Sequence, residues 1–284
     1  SYATMLRGIV EQATGELAVS RATFDSLGYV KDWMVVGAFD NEGKLGLARE
    51  FPPETARNDA ANRETTYRGK EREVRWRRFP AELAPTGYIS FDAVFRPWIN
   101  VCAYAETFVK LDRARPLTLW LGANGAAKVW FNGEEVLEDT QYRQVDYDRF
   151  AAAVAGREGL NRILVKECTA EGAWGFTLRV ADQNGAPLPE LEVVTDGTAA
   201  AAAGSARAGT APVTPLANLE ALVEAAPETA LAPLPPPPPP CPPCSPSPAA
   251  APAWARSMAT AACGGRCAAR TTTSGRPRCS SASA

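Results

Sequence analysis

Lys128-Val-Trp-Phe-Asn-Gly-Glu-Glu-Val136 is the stretch whose reading decides the fold. Two apolar runs meet at Asn132-Gly133, and both residues tolerate the positive φ that a tight type I′ hairpin turn needs. Val129 and Phe131 share one face and Trp130 takes the other, the alternation of a strand with one side in a core. Working outward, the same period recurs in Trp33–Phe39, Glu73–Phe79, Gly87–Phe95, Asn100–Lys110, Arg115–Gly122, Glu134–Glu138, Tyr142–Phe150, Asn161–Thr169 and Gly172–Asp182. In Arg115–Gly122, Leu117, Leu119 and Leu121 fall on one face. Gly159-Leu160-Asn161 supplies a second tight reversal before an apolar strand. Many short strands divided by Gly, Pro, Asn and Asp, with no amphipathic helix between them, predict an all-β sandwich or barrel.

The flanks read differently. Leu6, Ile9, Val10 and Ala13 recur at helical spacing, so residues 1–29 form a helical segment, weakened at Gly15 and stopped at Gly28. The sandwich occupies 30–187, which holds six of the seven tryptophans. Phe51–Gly69 is long and polar for a hairpin loop, the mark of a functional or loosely ordered excursion. A linker follows over 188–215, then a helix over 216–231 on the spacing of Leu216, Leu219, Leu222 and Val223. Residues 232–284 contain no Asp, Glu, Lys, Ile, Val, Phe or Tyr. Such a tail buries too little apolar surface to offset its ordering entropy and reads as disordered Pro/Ala-rich chain, or as a shifted frame of a GC-rich gene. The chain opens at Ser1 without a signal-peptide pattern and reads as a fragment of something longer.

The formal net charge of −2 gives no electrostatic case for nucleic acid or anionic membrane, and no apolar run is long enough for membrane insertion. There is no histidine, which excludes imidazole-dependent triads, dyads and zinc sites. Cys102 and Cys168 lie in apolar strand-like runs and read as free, small hydrophobes, which suits a cytosol. The other five cysteines, Cys241, Cys244, Cys263, Cys267 and Cys279, are in the tail without the setting that would fix a metal.

Lys128–Val136, then Tyr142–Phe150, then Glu158-Gly-Leu-Asn-Arg-Ile-Leu-Val-Lys166 and Gly175–Val180, resemble the closing strands of the galactose-binding-like jelly roll. Trp33-Met-Val-Val-Gly-Ala-Phe39 is similar to the Trp-x-x-x-Gly-Pro-Phe opening of related modules in bacterial multidomain proteins, with Ala38 where proline is usual. The helical flanks resemble pieces of tetratricopeptide-type arrays, into which such modules are inserted. The resemblance implies a jelly-roll β-sandwich like the non-catalytic sugar-binding domain of family 2 glycosidases. It also implies that a structural Ca²⁺ is common, for which the oxygen-rich loop at Asp40, Asn41 and Glu42 is the candidate; no other cofactor is expected.

Sugar recognition uses aromatic faces with Asp, Asn, Arg or Glu holding hydroxyls. Trp98 near a proline, and Trp120 and Trp130 opposite the core-facing residues of their strands, are the aromatic candidates. Tyr142, Arg143, Asp146, Tyr147, Asp148 and Arg149 form the densest polar cluster. Taken as a strand, it points Asp146 and Asp148 to one side about 7 Å apart, fit for hydroxyls or Ca²⁺. One strand does not put two carboxylates on opposite faces of a sugar, and a solvated face with cross-strand Arg pairing is the plainer reading. The expectation is a non-catalytic module that binds a glycan or a protein partner. The alternatives are an accessory domain of a glycoside hydrolase whose catalytic domain lies elsewhere, and a scaffold flanked by helical repeats. Cytoplasm and cell envelope are both open.

Overall fold

A computed structural model of the chain describes residues 2–55, 64–188 and 191–195. The expected helix at 216–231, the tail at 232–284 with its cysteines, and most of the expected linker lie outside the described residues.

The strands in chain order are β1 (Met34–Asp40), β2 (Tyr67–Arg68), β3 (Glu73–Val74), β4 (Arg77–Arg78), β5 (Tyr88–Ser90), β6 (Val101–Leu111) and β7 (Arg115–Ala123). Then come β8 (Ala126–Phe131), β9 (Glu134–Asp139), β10 (Phe150–Gly156), β11 (Gly159–Thr169), β12 (Gly175–Ala181) and β13 (Glu192–Val194). The larger sheet has the order β4-β1-β6-β11-β8-β9, with β13 also paired to β6, and the smaller has β10-β7-β12-β5. The pairings within both sheets are antiparallel. This is an all-β jelly-roll sandwich, and β13 carries it past residue 187 into the stretch expected as linker.

Alternation along each strand builds the core. Ala103, Ala105 and Val109 of β6, Val129 and Phe131 of β8, and Ile163 and Val165 of β11 face Leu117, Leu119 and Leu121 of β7 across the sandwich. The opposite faces of β6 and β11 are buried too, in a second cluster with Leu47, Phe51, Tyr67, Val74 and Trp76. The described chain between β1 and β4 therefore roofs the outer side of the larger sheet. The described parts of the long polar excursion are an anchored layer, not a loose loop: α3 (Pro52–Thr55) sits there through Phe51 and Pro53.

The two central cysteines are not free. Cys102 of β6 lies directly opposite Cys168 of β11, and the two form a disulfide. They stand 66 positions apart in sequence, so only the strand register brings them together. With the link formed, the cysteines cease to argue for a reducing compartment.

Asn132 and Gly133 have φ of 53° and 88°, as the type I′ turn requires. This turn is tied to the second reversal singled out in the sequence: Asn132 Nδ2 donates to Asn161 Oδ1 at 2.9 Å, and Arg162 N donates to Asn132 Oδ1 at 2.9 Å. Asn161, fully buried, also accepts from Arg157 N and donates to the carbonyls of Arg157 and Gly159. Two turns far apart in sequence thus satisfy each other's buried polar groups.

The Tyr142–Phe150 run is not a strand. It leaves β9 as irregular chain, turns at Tyr147 and Asp148, and becomes β10 only at Phe150. The strand that does form, Phe-Ala-Ala-Ala-Val-Ala-Gly, is rich in alanine and has only Phe150 and Val154 as strand-favouring residues. At the other end of the chain the helical segment is two helices, α1 (Tyr2–Ala13) and α2 (Leu17–Asp25). Met5, Phe24, Leu27 and Tyr29 form a small core there, and Tyr147 of the sandwich packs against it.

Candidate functional site

Strands β1, β5, β7, β9 and β11 run toward one end of the sandwich, and β6, β8, β10 and β12 leave from it. Their connections gather there around a cavity of about 790 Å³. Its walls include Tyr88 at β5, Asn124 and Gly125 between β7 and β8, Tyr142, Arg143 and Tyr147 after β9, and Ala170–Ala173 after β11; Lys44 stands at its rim.

Short hydrogen bonds hold the lining in place. Asn124 Nδ2 donates to the Tyr88 hydroxyl at 2.6 Å, and Val145 N donates to Asn124 Oδ1 at 2.7 Å. The Tyr142 hydroxyl bonds the Asn41 amide, and Lys44 Nζ lies 4.6 Å from the centre of the Tyr142 ring. Arg143 Nη2 donates to Asp139 Oδ1 at 3.2 Å, and its Nε stands 3.1 Å from Asp139 Oδ2. The cavity thus offers three tyrosine rings, a fixed amide and two cations.

Behind Gly125 lies Glu167 of β11, fully buried on the core-facing side. A Cβ on Gly125 would come 3.1 Å from Glu167 Oε1, and neither carboxyl oxygen has a hydrogen-bond partner. Burial, aided by the charge of Asp92, pushes this carboxyl well above its usual range. Burial also raises the Tyr88 phenol.

The sign of the resulting pH dependence follows from linkage. The folded chain keeps a proton that the unfolded chain sheds above about pH 4.3, so stability falls as pH rises from there through the folded value. Glu167→Gln removes the proton linkage and is expected to be more stable than the parent at pH 7. Urea melts at pH 7 and pH 4 check this: the gain should shrink toward pH 4. An equal gain at both would show that the carboxyl is not proton-linked.

Of the residues expected from the sequence, Tyr142 and Arg143 meet at the cavity, and Tyr147 joins them. Asp146 and Asp148 do not point together from a strand. Asp146 is exposed and pairs with Arg149, whereas Asp148, at φ 55°, is drawn into an ion pair in which the Nε–H of the buried Arg179 is shared between both carboxylate oxygens. Trp120 is covered by the Arg179 guanidinium at 4.8 Å and by Gly185, and Trp130 is half-buried against the second core. Trp98 remains exposed near the cavity end.

The proposed Ca²⁺ loop is occupied by a lysine. Lys70 Nζ lies 2.6 Å from Glu42 Oε1 and 3.6 Å from Asp40 Oδ1, and takes the carbonyls of Ile99 and Asn100 as well. Asn41 is fully buried, its amide spent on Thr169 O, Gly46 N and Tyr142. Among the described residues no three acidic or cysteine side chains group as metal ligands. An ammonium ion thus supplies the positive charge that the sequence reading assigned to calcium.

Tyr88 and Asn124 were not singled out in the sequence. Asn124-Gly125 carried the available signal, a turn dipeptide ending one strand and opening the next.

No protein-family model matches the chain, and no curated protein matches it. Among solved structures, the PA14 domain of the MpAFP antifreeze protein is 17% identical, covering 34% of this chain and 53% of that one, with a TM-score of 0.29. An FMN-binding β-glucuronidase from Facaelibacterium prausnitzii is 15% identical over 53% of this chain and 21% of its own, with a TM-score of 0.29. A β-glucuronidase from an uncultured Clostridium sp. is 14% identical over 53% of this chain and 28% of its own, with a TM-score of 0.30. The chain thus spans about half of the first of these and less than a third of the other two.

Proposed function

We propose that the sandwich is a non-catalytic carbohydrate-binding module and that the cavity at its loop end is the binding site. The observation that carries this reading is the lining: the rings of Tyr88, Tyr142 and Tyr147 beside the fixed amide of Asn124 and the cations Lys44 and Arg143. Aromatic faces suit the apolar side of a sugar ring, and a few fixed polar groups suit its hydroxyls. Glycoside cleavage calls for two carboxyls flanking the bond about 5–10 Å apart. Among the described residues that line the cavity, Glu171 is the sole carboxylate, which favours binding over cleavage. A module of this kind is compatible with service beside a catalytic domain in a longer protein.

Tyr142→Ala is expected to weaken glycan retention about tenfold, a loss near 1.4 kcal/mol. Tyr142→Phe keeps the ring, loses only the bond to Asn41, and should stay within about twofold of the parent. Affinity electrophoresis through immobilised neutral polysaccharides measures both. Equal retention by the alanine variant, or no retention of the parent on any polysaccharide, would sink the proposal.

A second reading, a scaffold between helical repeats, draws on Leu6, Ile9, Val10, Leu17 and Val19, which stand exposed on α1 and α2. Loss of glycan retention in the parent would leave that reading in place.

A further inference from the structure

We infer that Trp98 is a second, ring-stacking position continuous with the cavity, so that the ligand is an oligosaccharide chain and not a single sugar. This rests on the cavity reading above and extends it. Trp98 lies in the connection from β5 to β6, at the cavity end of the sandwich. Asn100 N donates to Ala170 O at 2.7 Å, and Ala170 is part of the cavity wall. Trp98 stands two positions, at most about 7 Å of chain, from that junction.

The tryptophan is exposed where its counterparts are covered. Trp33 and Trp174 are fully buried and Trp76 is 6% exposed, whereas Trp98 is 40% exposed, with Ile99 beside it at 52%. A ring left in water forgoes the burial that usually stabilises an aromatic side chain. The Arg96 guanidinium covers part of the indole, 4.1 Å from its centre, and is itself held by the carbonyls of Asp92 and Phe95.

The loop is fixed from both sides. Lys70 Nζ donates to Ile99 O at 3.2 Å and to Asn100 O at 2.9 Å. Asn41 N also donates to Asn100 O, and Asn100 Nδ2 donates to Glu42. Lys70 thus does more than fill the place expected for calcium: it sets the loop that presents Trp98. A ring presented on a fixed loop loses little entropy when a ligand stacks on it, the usual route by which preorganisation adds affinity. The partner that suits a flat indole beside a tyrosine-lined cavity is the apolar face of the next sugar along the same chain.

Titration calorimetry on the full chain tests this with matched di- and hexasaccharides of neutral gluco-, galacto- and xylo- series. The hexasaccharide of the preferred series should bind more tightly than its disaccharide. Trp98→Ala should weaken the hexasaccharide about tenfold and leave the disaccharide within about twofold, and Trp98→Phe should recover most of the loss. If Trp98→Ala leaves the hexasaccharide unchanged while Tyr142→Ala still weakens it, the second position is wrong and the cavity reading stands. Equal weakening of both lengths also overturns a separate position. Absence of binding by either length in the parent overturns both.

Discussion

Replacing Asp148 with alanine is expected to lower folding stability by about 3–5 kcal/mol, the usual cost of leaving a buried charge without its partner. Arg179 is 1% exposed, and its Nε lies 2.9 and 2.8 Å from the two Asp148 oxygens. The remaining contacts of the guanidinium, Gly185 O at 2.9 Å and the Trp120 ring, do not neutralise its charge. Asp148 also accepts from the Tyr29 hydroxyl, and Tyr29 bridges to the backbone of Arg179. The carboxylate therefore joins the helical segment to the smaller sheet. Asp148 holds φ at 55°, a region that aspartate tolerates and alanine does not, which adds to the loss. Asp146→Ala, which removes an exposed pair, should change stability by less than about 0.5 kcal/mol. Urea unfolding of the two variants side by side decides it. Equal effects would mean that Arg179 finds another partner.

A loss of similar size, about 3–5 kcal/mol, is expected for Glu54→Ala. Lys166 is fully buried on the outer face of the larger sheet, and burial drives its pKa down even with a carboxylate beside it. Its Nζ is held by Glu54 Oε1 at 2.7 Å and by the carbonyls of Leu47 and Arg49 at 3.0 and 2.7 Å. Phe51 and Tyr104 close over it, and the Tyr104 hydroxyl also donates to Glu54. Without Glu54 the ammonium keeps two carbonyl dipoles and no counter-charge. Adding Lys166→Met to Glu54→Ala replaces the orphaned charge with an apolar side chain and should recover most of the loss. Chemical denaturation of parent, single and double variants measures this coupling. A double variant no more stable than Glu54→Ala would contradict it.

Much of this architecture was legible in advance. Alternation placed β1, β6, β7, β8, β11 and β12 closely, because each has bulky residues facing a core on one side. It also assigned Trp120 and Trp130 correctly to the faces opposite the central core. It failed at β10, where alanines blur the contrast between the two faces. It failed again from Tyr142 to Arg149, where alternating polar residues imitate a strand although each side chain answers a different partner. The disulfide, the second core and the lysine in place of calcium all depend on which strands pair and in what register. No local window holds that information.

The same holds for the cavity. Tyr142 and Arg143 stood out because charged and aromatic residues crowd one segment. Tyr88 and Asn124 come singly from other strand ends, and the jelly-roll order alone brings them to the same place.

The link between Cys102 and Cys168 also governs how the molecule carries tension. A pull applied at the two ends of the chain passes across the sulfurs and skips the stretch from 103 to 167 between them. Roughly 220 Å of potential extension is thereby withheld. Asn124, Tyr142 and Arg143 lie within that sheltered span, so a tether hauling on either flank would lengthen the roof and the helices without drawing out the segments that bear these cavity residues.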